Sequence, residues 1–186
     1  MAVTLRRYRF TVDQYHRMAE AEIFHPECRV ELVDGDIFEM SPIVPWHAGA
    51  VNVLTHRFVS GLGDRAVVHV QNPTELDAHS EPQPDVMLLK PRADFYRHAH
   101  PRPEDALLLV EVSDTSLAHD RGRKLHLYAR DGVPDVWIVN RRADAIEVFR
   151  VPSPEGYREA TRVRRGEELA PAAFPDLRLS ASDILG

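Results

Sequence analysis

Ala106-Leu107-Leu108-Leu109-Val110-Glu111-Val112 opens on an unbroken apolar run that ends in a single carboxylate. A short run of this kind without polar alternation reads as a central strand covered on both faces. Beyond it, Ser116 stands where a helix N-cap belongs, and Leu117 to Arg130 reads as a helix that stops at Gly132 and Pro134. Gly122 weakens the middle of that helix by about 1 kcal/mol relative to alanine. Asp135 to Val139 then returns as a further apolar strand.

The flanking sequence fits around this core. Upstream, Asp85 to Leu89 and Ala66 to Gln71 are shorter strand-like runs. Lys90 to Asp105 carries Pro91, Pro101 and Pro103 with no period and predicts an irregular surface loop. Val51, Leu54, Phe58, Val59 and Leu62 recur at helical spacing, predicting a helix from about His47 to Leu62 that lies on the sheet. Arg29 to Met40 alternates about Asp34-Gly35, the pattern of a hairpin. Thr11-Val12-Asp13-Gln14 has the form of a capping box opening a helix from about Val12 to Ile23. Downstream, Ala145 to Arg150 and Tyr157 to Val163 add strands, while Pro171 and Pro175 predict an irregular wrap for the tail beyond Gly166. The order predicts one mixed α/β domain over residues 1–186: a central mixed sheet flanked by helices, with an N-terminal helix and β-hairpin.

Composition narrows the class. The chain has 186 residues, with 23 Lys plus Arg against 29 Asp plus Glu and a formal net charge of -6. It is long enough to bury a core without staples, and its lone Cys28 cannot form an internal disulfide, so the cytoplasm is the expected compartment. No apolar run approaches the ~20 residues of a membrane span. Residues Met1 to Phe10 carry Arg6, Arg7 and Arg9 without the apolar stretch of a secretory signal and read as mature sequence. Net acidity argues against a purely electrostatic nucleic-acid binder but leaves room for an enzyme whose acids hold a cation where phosphate arrives.

Two carboxylates stand at strand ends: Asp85, after Gln83-Pro84, and Glu111. A buried carboxylate there is costly unless paired or bound to a cation. If the two strands pair, both groups can converge on one hard divalent ion, with a backbone carbonyl such as that of Val112 and water completing its shell. The bland alternative has Asp85 capping a turn and Glu111 meeting an arginine, and for either residue alone it is the better reading. Asp120, Lys124 and Tyr128 stand four apart and share a helical face. A lysine there would stabilise a phosphorane-like transition state, or else form an exposed ion pair with Asp120.

Taken in order, Val30-Glu31-Leu32-Val33-Asp34-Gly35 with Met40-Ser41-Pro42, then Gln83-Pro84-Asp85-Val86, Val110-Glu111-Val112, Asp120-Arg121-Gly122-Arg123-Lys124 through Tyr128-Ala129, and Gly132-Val133-Pro134-Asp135-Val136-Trp137 resemble the Uma2 family. The resemblance covers nearly the whole chain. It implies the restriction-endonuclease-like fold of the PD-(D/E)XK superfamily, and with it a divalent-metal-dependent endonuclease hydrolysing phosphodiester bonds in DNA. The cofactor so implied is Mg2+ or Mn2+, and the expected assembly is a homodimer with nucleic acid as partner and no membrane. Asp85 and Glu111 match the metal ligands, and Glu31 matches an early carboxylate of the same site. Ser113 occupies the position of the superfamily lysine, which in the Uma2 pattern is displaced onto the following helix, at Lys124. His47, Gln71, Gln83 and Tyr128 are the candidate substrate-contacting residues, with capping the stronger reading for His47, a structural role for Gln71 and a core role for Tyr128. The alternative function is a nuclease-like fold with weak or absent catalysis, acting as a nucleic-acid- or protein-binding module. His98-Ala99-His100 has chelate spacing but no supporting thiols, and no glycine-rich phosphate loop is present.

Overall fold

The computed structural model describes residues 6–186. The reading of the first ten residues as mature sequence falls in part on residues 1–5, outside the described residues. The order is α1 (Val12–Glu20), β1 (Val30–Val33), β2 (Asp36–Glu39), α2 (Pro45–Leu62), β3 (Val67–Val70), β4 (Val86–Leu89), β5 (Ala106–Ser113), α3 (Leu117–His119), a π-turn (Asp120–Lys124), α4 (Leu125–Arg130), β6 (Asp135–Asn140), β7 (Ala145–Ser153), β8 (Gly156–Arg164), β9 (Glu168–Leu169), β10 (Leu179–Ser180) and α5 (Ala181–Leu185).

A six-stranded sheet runs in the order β3-β4-β5-β6-β7-β8. All its pairs are antiparallel except β5 with β6, which are parallel in the register Glu111↔Ile138. Parallel neighbours need a crossover, and the helical segment from Leu117 to Arg130 supplies it. That connection covers one face of the sheet, where Leu127 and Tyr128 pack with Met87, Leu109 and Val136. On the other face, Ala50, Val51, Leu54 and Phe58 of α2 pack against Val86, Leu88, Leu108, Val110 and Trp137. The apolar run of β5 is therefore covered from both sides, as its lack of alternation predicts.

The N-terminal elements follow their signals. Thr11 and Gln14 form both halves of the capping box, although α1 ends at Glu20, short of the expected Ile23. Asp34 and Gly35 adopt φ of 54° and 79°, the positive angles that a two-residue turn between β1 and β2 demands. Two expectations need correction. The segment Leu117 to Arg130 is not one regular α-helix, since its middle turn is π, with the Leu125 N–H donating to the Asp120 carbonyl. The tail is not an irregular wrap either: β9 pairs with β10, and Ala181, Ile184 and Leu185 of α5 enter the main core. Proline spacing hides this because Pro171 and Pro175 lie between those two strands, in their connection. Among the described residues, no helix is long and apolar enough to cross a membrane.

Candidate nuclease-like site

Strand register brings the carboxylates together. Val86 faces Val110 across β4 and β5, so one further step sets Asp85 opposite Glu111. Both are buried, at 8% and 3% exposure. The Val112 N–H donates to Asp85 Oδ2 at 2.8 Å, which ties the Pro-Asp segment to the end of β5. On the other side, the Gln71 side-chain amide donates to Asp85 Oδ1 at 3.2 Å, and His47 Nε2 stands 3.0 Å from the same oxygen. The hydrogen bond with Asp85 raises the His47 imidazole above its ordinary pKa, against the lowering effect of burial. His47 thus does not cap α2, whose N-cap is Val44. Gln71, likewise, faces the cleft from just beyond β3.

Among the described residues Glu111 meets no arginine; its partners come from the crossover. Tyr128 Oη donates to Glu111 Oε1 at 2.6 Å, and Lys124 Nζ lies 2.8 Å from that oxygen. The same ammonium donates to Glu31 Oε2 at 3.1 Å. The π-turn makes this reach possible: its two end residues, Asp120 and Lys124, are both buried, while Arg121, Gly122 and Arg123 between them face solvent. Arg121 pins the turn to the sheet through a two-pronged pair with Glu147 of β7, its Nε donating to Oε2 at 2.9 Å. Asp120 closes the near end, accepting from Ser113 Oγ at 2.7 Å and Ser116 Oγ at 2.6 Å through Oδ2. Ser113, two residues beyond Glu111, therefore helps hold the segment that carries Lys124.

Glu31 is a fully engaged acid and no surface charge. It is 4% exposed and accepts from the Gln83 backbone N–H at 3.0 Å, while His119 Nε2 lies 3.3 Å from Oε1. Burial alone would push its carboxyl up, but the Lys124 charge, His119 and the Gln83 N–H together bring it down to about 2. For Glu111 burial prevails, aided by the Asp120, Asp85 and Glu31 charges and opposed by Lys124, and its pKa is pushed up to about 8. Lys124 keeps its proton because Glu111, Tyr128 and Glu31 outweigh the effect of its own burial. The two glutamates that share Lys124 are thus driven apart, one ionised and one able to hold a proton near neutrality.

A pH dependence follows for Glu31. Its folded pKa is depressed, so its contribution is present above the unfolded value of 4.5 and is lost as pH falls toward about 2. We expect wild-type stability in urea to fall more steeply from pH 5 to pH 3 than that of Glu31→Gln, by about 2 kcal/mol. Parallel pH profiles for the two proteins would show that Glu31 gains nothing from its setting.

These groups line a cavity of about 330 Å3, together with Arg29, Phe38, Met40 and Val44. Every site residue read from the sequence borders it except Tyr128, which reaches it through Glu111. Gln83 contributes chiefly backbone, with its side-chain amide turned to the Val30 carbonyl at 3.2 Å. Val112 engages Asp85 through its N–H, a contact distinct from the carbonyl ligation expected of it. His119 is a site residue that the sequence reading left out, while Asp120, read there as a neighbour of Lys124 on one helical face, borders the same cavity. Fit to a divalent ion is partial: the carboxylate oxygens suit a hard cation, yet Glu111 and Glu31 already hold an ammonium. Among the described residues, no group of three or more His, Cys, Asp and Glu side chains could hold a metal ion.

A mixed sheet flanked by helices, with carboxylates from adjacent strands and a buried lysine at one end, defines a nuclease-like protein of restriction-endonuclease-like architecture. The Uma2 family model, described as "Putative restriction endonuclease", matches residues 12–182, and the chain belongs to that family. Among solved structures, a "putative nuclease belonging to DUF820" from Anabaena variabilis ATCC 29413 superposes with a TM-score of 0.73 at 14% identity, covering 95% of this chain and 97% of that one. At that identity the likeness speaks for the fold alone. No curated protein matches the chain.

Proposed function

We propose that this chain is a nuclease-like fold whose cleft engages nucleic acid, and whose catalysis is weak or absent with the site arranged as it is here. The observation that carries this reading is the position of Lys124. Its ammonium sits 3.1 Å from Glu31 and 2.8 Å from Glu111, so those acids are already compensated from within the chain. The lack of a three-ligand group among the described residues supports the same reading. Family membership and fold make nucleic acid the expected partner, with DNA ahead of RNA.

A second reading, a metal-dependent endonuclease, is favoured by one specific observation: Asp85 and Glu111 stand opposite each other at the ends of adjacent strands, both buried and both lining the cavity. In that reading Asp85 and Glu111 hold Mg2+ or Mn2+, which supplies a polarised water and charge for phosphodiester hydrolysis. Lys124 then contributes its fixed positive charge, and His47 and Gln71 orient Asp85 through Oδ1.

Purified protein incubated with supercoiled and linear DNA in Mg2+, Mn2+ or EDTA, beside Asp85→Asn, Glu111→Gln and Lys124→Ala, separates the two. Binding that persists in EDTA, with no metal-dependent nicking above the level of the three variants, is the expected result. Metal-dependent cutting by wild type that all three substitutions abolish would establish the endonuclease instead. A protein that neither binds nor cuts would overturn both.

A further inference from the structure

Resting on the reading of the cleft as a nucleic-acid site, the geometry points to Arg29 as a further substrate-contacting residue, the cation that takes a backbone phosphate at the cleft mouth. Arg29 immediately precedes β1, and its carbonyl accepts from the Met40 N–H at 2.8 Å, which closes the open end of the hairpin. Side chains alternate along an extended chain, so Arg29 shares a side with Glu31, two residues on. Val30 and Leu32 between and beyond them pack the other way, into the small core beside α1. The same alternation that sends Glu31 to the floor of the cavity sends Arg29 to its wall.

Arg29 also differs from the other basic side chains there in its pairing. Lys124 is held by Glu31 and Glu111, His47 by Asp85, and His119 by Glu31. Arg29 forms no side-chain ion pair or hydrogen bond among the described residues, although it is half-buried and its charge is felt at His47. Acids line the same cavity, yet they take other donors: Asp114 pairs with Arg141, and Cys28 Sγ lies 3.8 Å from Glu39 Oε1. A half-buried guanidinium with no acceptor forgoes charge-assisted hydrogen bonds that a phosphate, with its planar pair of oxygens, supplies. In a cavity with an excess of carboxylates, an incoming phosphodiester needs one uncommitted cation, and Arg29 is that group.

The test is an anisotropy titration of a labelled oligonucleotide in EDTA, single-stranded and duplex, between about 50 and 200 mM salt. Wild type is compared with Arg29→Ala, Arg29→Gln and Arg17→Ala, the last removing the same charge from an exposed helical position. We expect both Arg29 variants to bind roughly tenfold more weakly, with the salt slope reduced by about 1 and an unchanged thermal midpoint, while Arg17→Ala tracks wild type. Wild-type affinity and slope in both Arg29 variants would overturn the assignment and leave the nucleic-acid reading standing. Wild type that binds neither oligonucleotide would overturn that reading, and the role of Arg29 with it.

Discussion

Lys124→Ala is expected to destabilise the protein by about 3–5 kcal/mol, the range for leaving a buried charge without its partner. The Lys124 side chain is 3% exposed and its two carboxylate partners 5% and 4%, so solvent cannot substitute for the lost ammonium. The pH dependence of this loss is a sharper signature than its size. Without Lys124, Glu31 loses the strongest of the partners that hold it down to about 2, and Glu111 loses the one group opposing its rise to about 8. Both folded-state values then rise relative to wild type, Glu111 from one already above the unfolded value and Glu31 against the remaining pull of His119 and the Gln83 N–H. A group raised in this way stabilises at low pH and loses that contribution as pH climbs through its folded value. The deficit of Lys124→Ala relative to wild type should accordingly be larger at pH 8.5 than at pH 5, measured by urea unfolding at each. Lys124→Met, which keeps most of the volume, should show the same trend and so separates charge from cavity. A loss below about 1 kcal/mol that is flat with pH would mean that the acids find compensation elsewhere.

Asp135→Ala should rank beside it, at about 2–4 kcal/mol, for a reason unconnected with the cleft. Asp135 opens β6 with no exposed surface. Its Oδ1 accepts from Trp137 Nε1 and Arg150 Nε, both at 3.1 Å, and its Oδ2 accepts from the Ala172 N–H at 2.8 Å. Alanine would strand the indole and amide donors inside the protein. It would also free the segment after β9 from β6, a tie that holds the C-terminal elements against the core. Asp135→Asn keeps an acceptor of the same size and should recover about half of the loss. Chemical denaturation checks both values, and oligonucleotide binding by the folded protein should not change, since Asp135 does not border the cavity. A fall in binding with stability intact would reverse the argument and place Asp135 in the function.

These two acids show where the sequence stopped informing. Asp135 and Asp85 each follow a proline and open an apolar strand, and nothing local tells them apart. The first carries part of the core's polar network, the second faces the cleft. Register decides: one step beyond Val86↔Val110 sets Asp85 across from Glu111, while Asp135 lies at the far end of β6 from Ile138, the partner of Glu111.

Most of the elements and their order along the chain were legible because they rest on local signals. The unbroken run at β5, the Asp34-Gly35 turn and the helical stripe of α2 each encode a burial pattern along a few residues. The motif order carried the family, and with it Asp85, Glu111, Glu31 and Lys124 as a set. What sequence could not supply was orientation. Four-residue spacing on an α-helix put Asp120, Lys124 and Tyr128 on one face, but the chain makes a π-turn there, and Lys124 is aimed by Arg121 on Glu147 and by Asp120 on two serines. His47 passed for a cap and Gln71 for a strand residue until Asp85 lay between them. Charge balance in the cleft is tertiary for the same reason. It depends on which cations from distant segments reach which acids, a matter of distances that composition averages away.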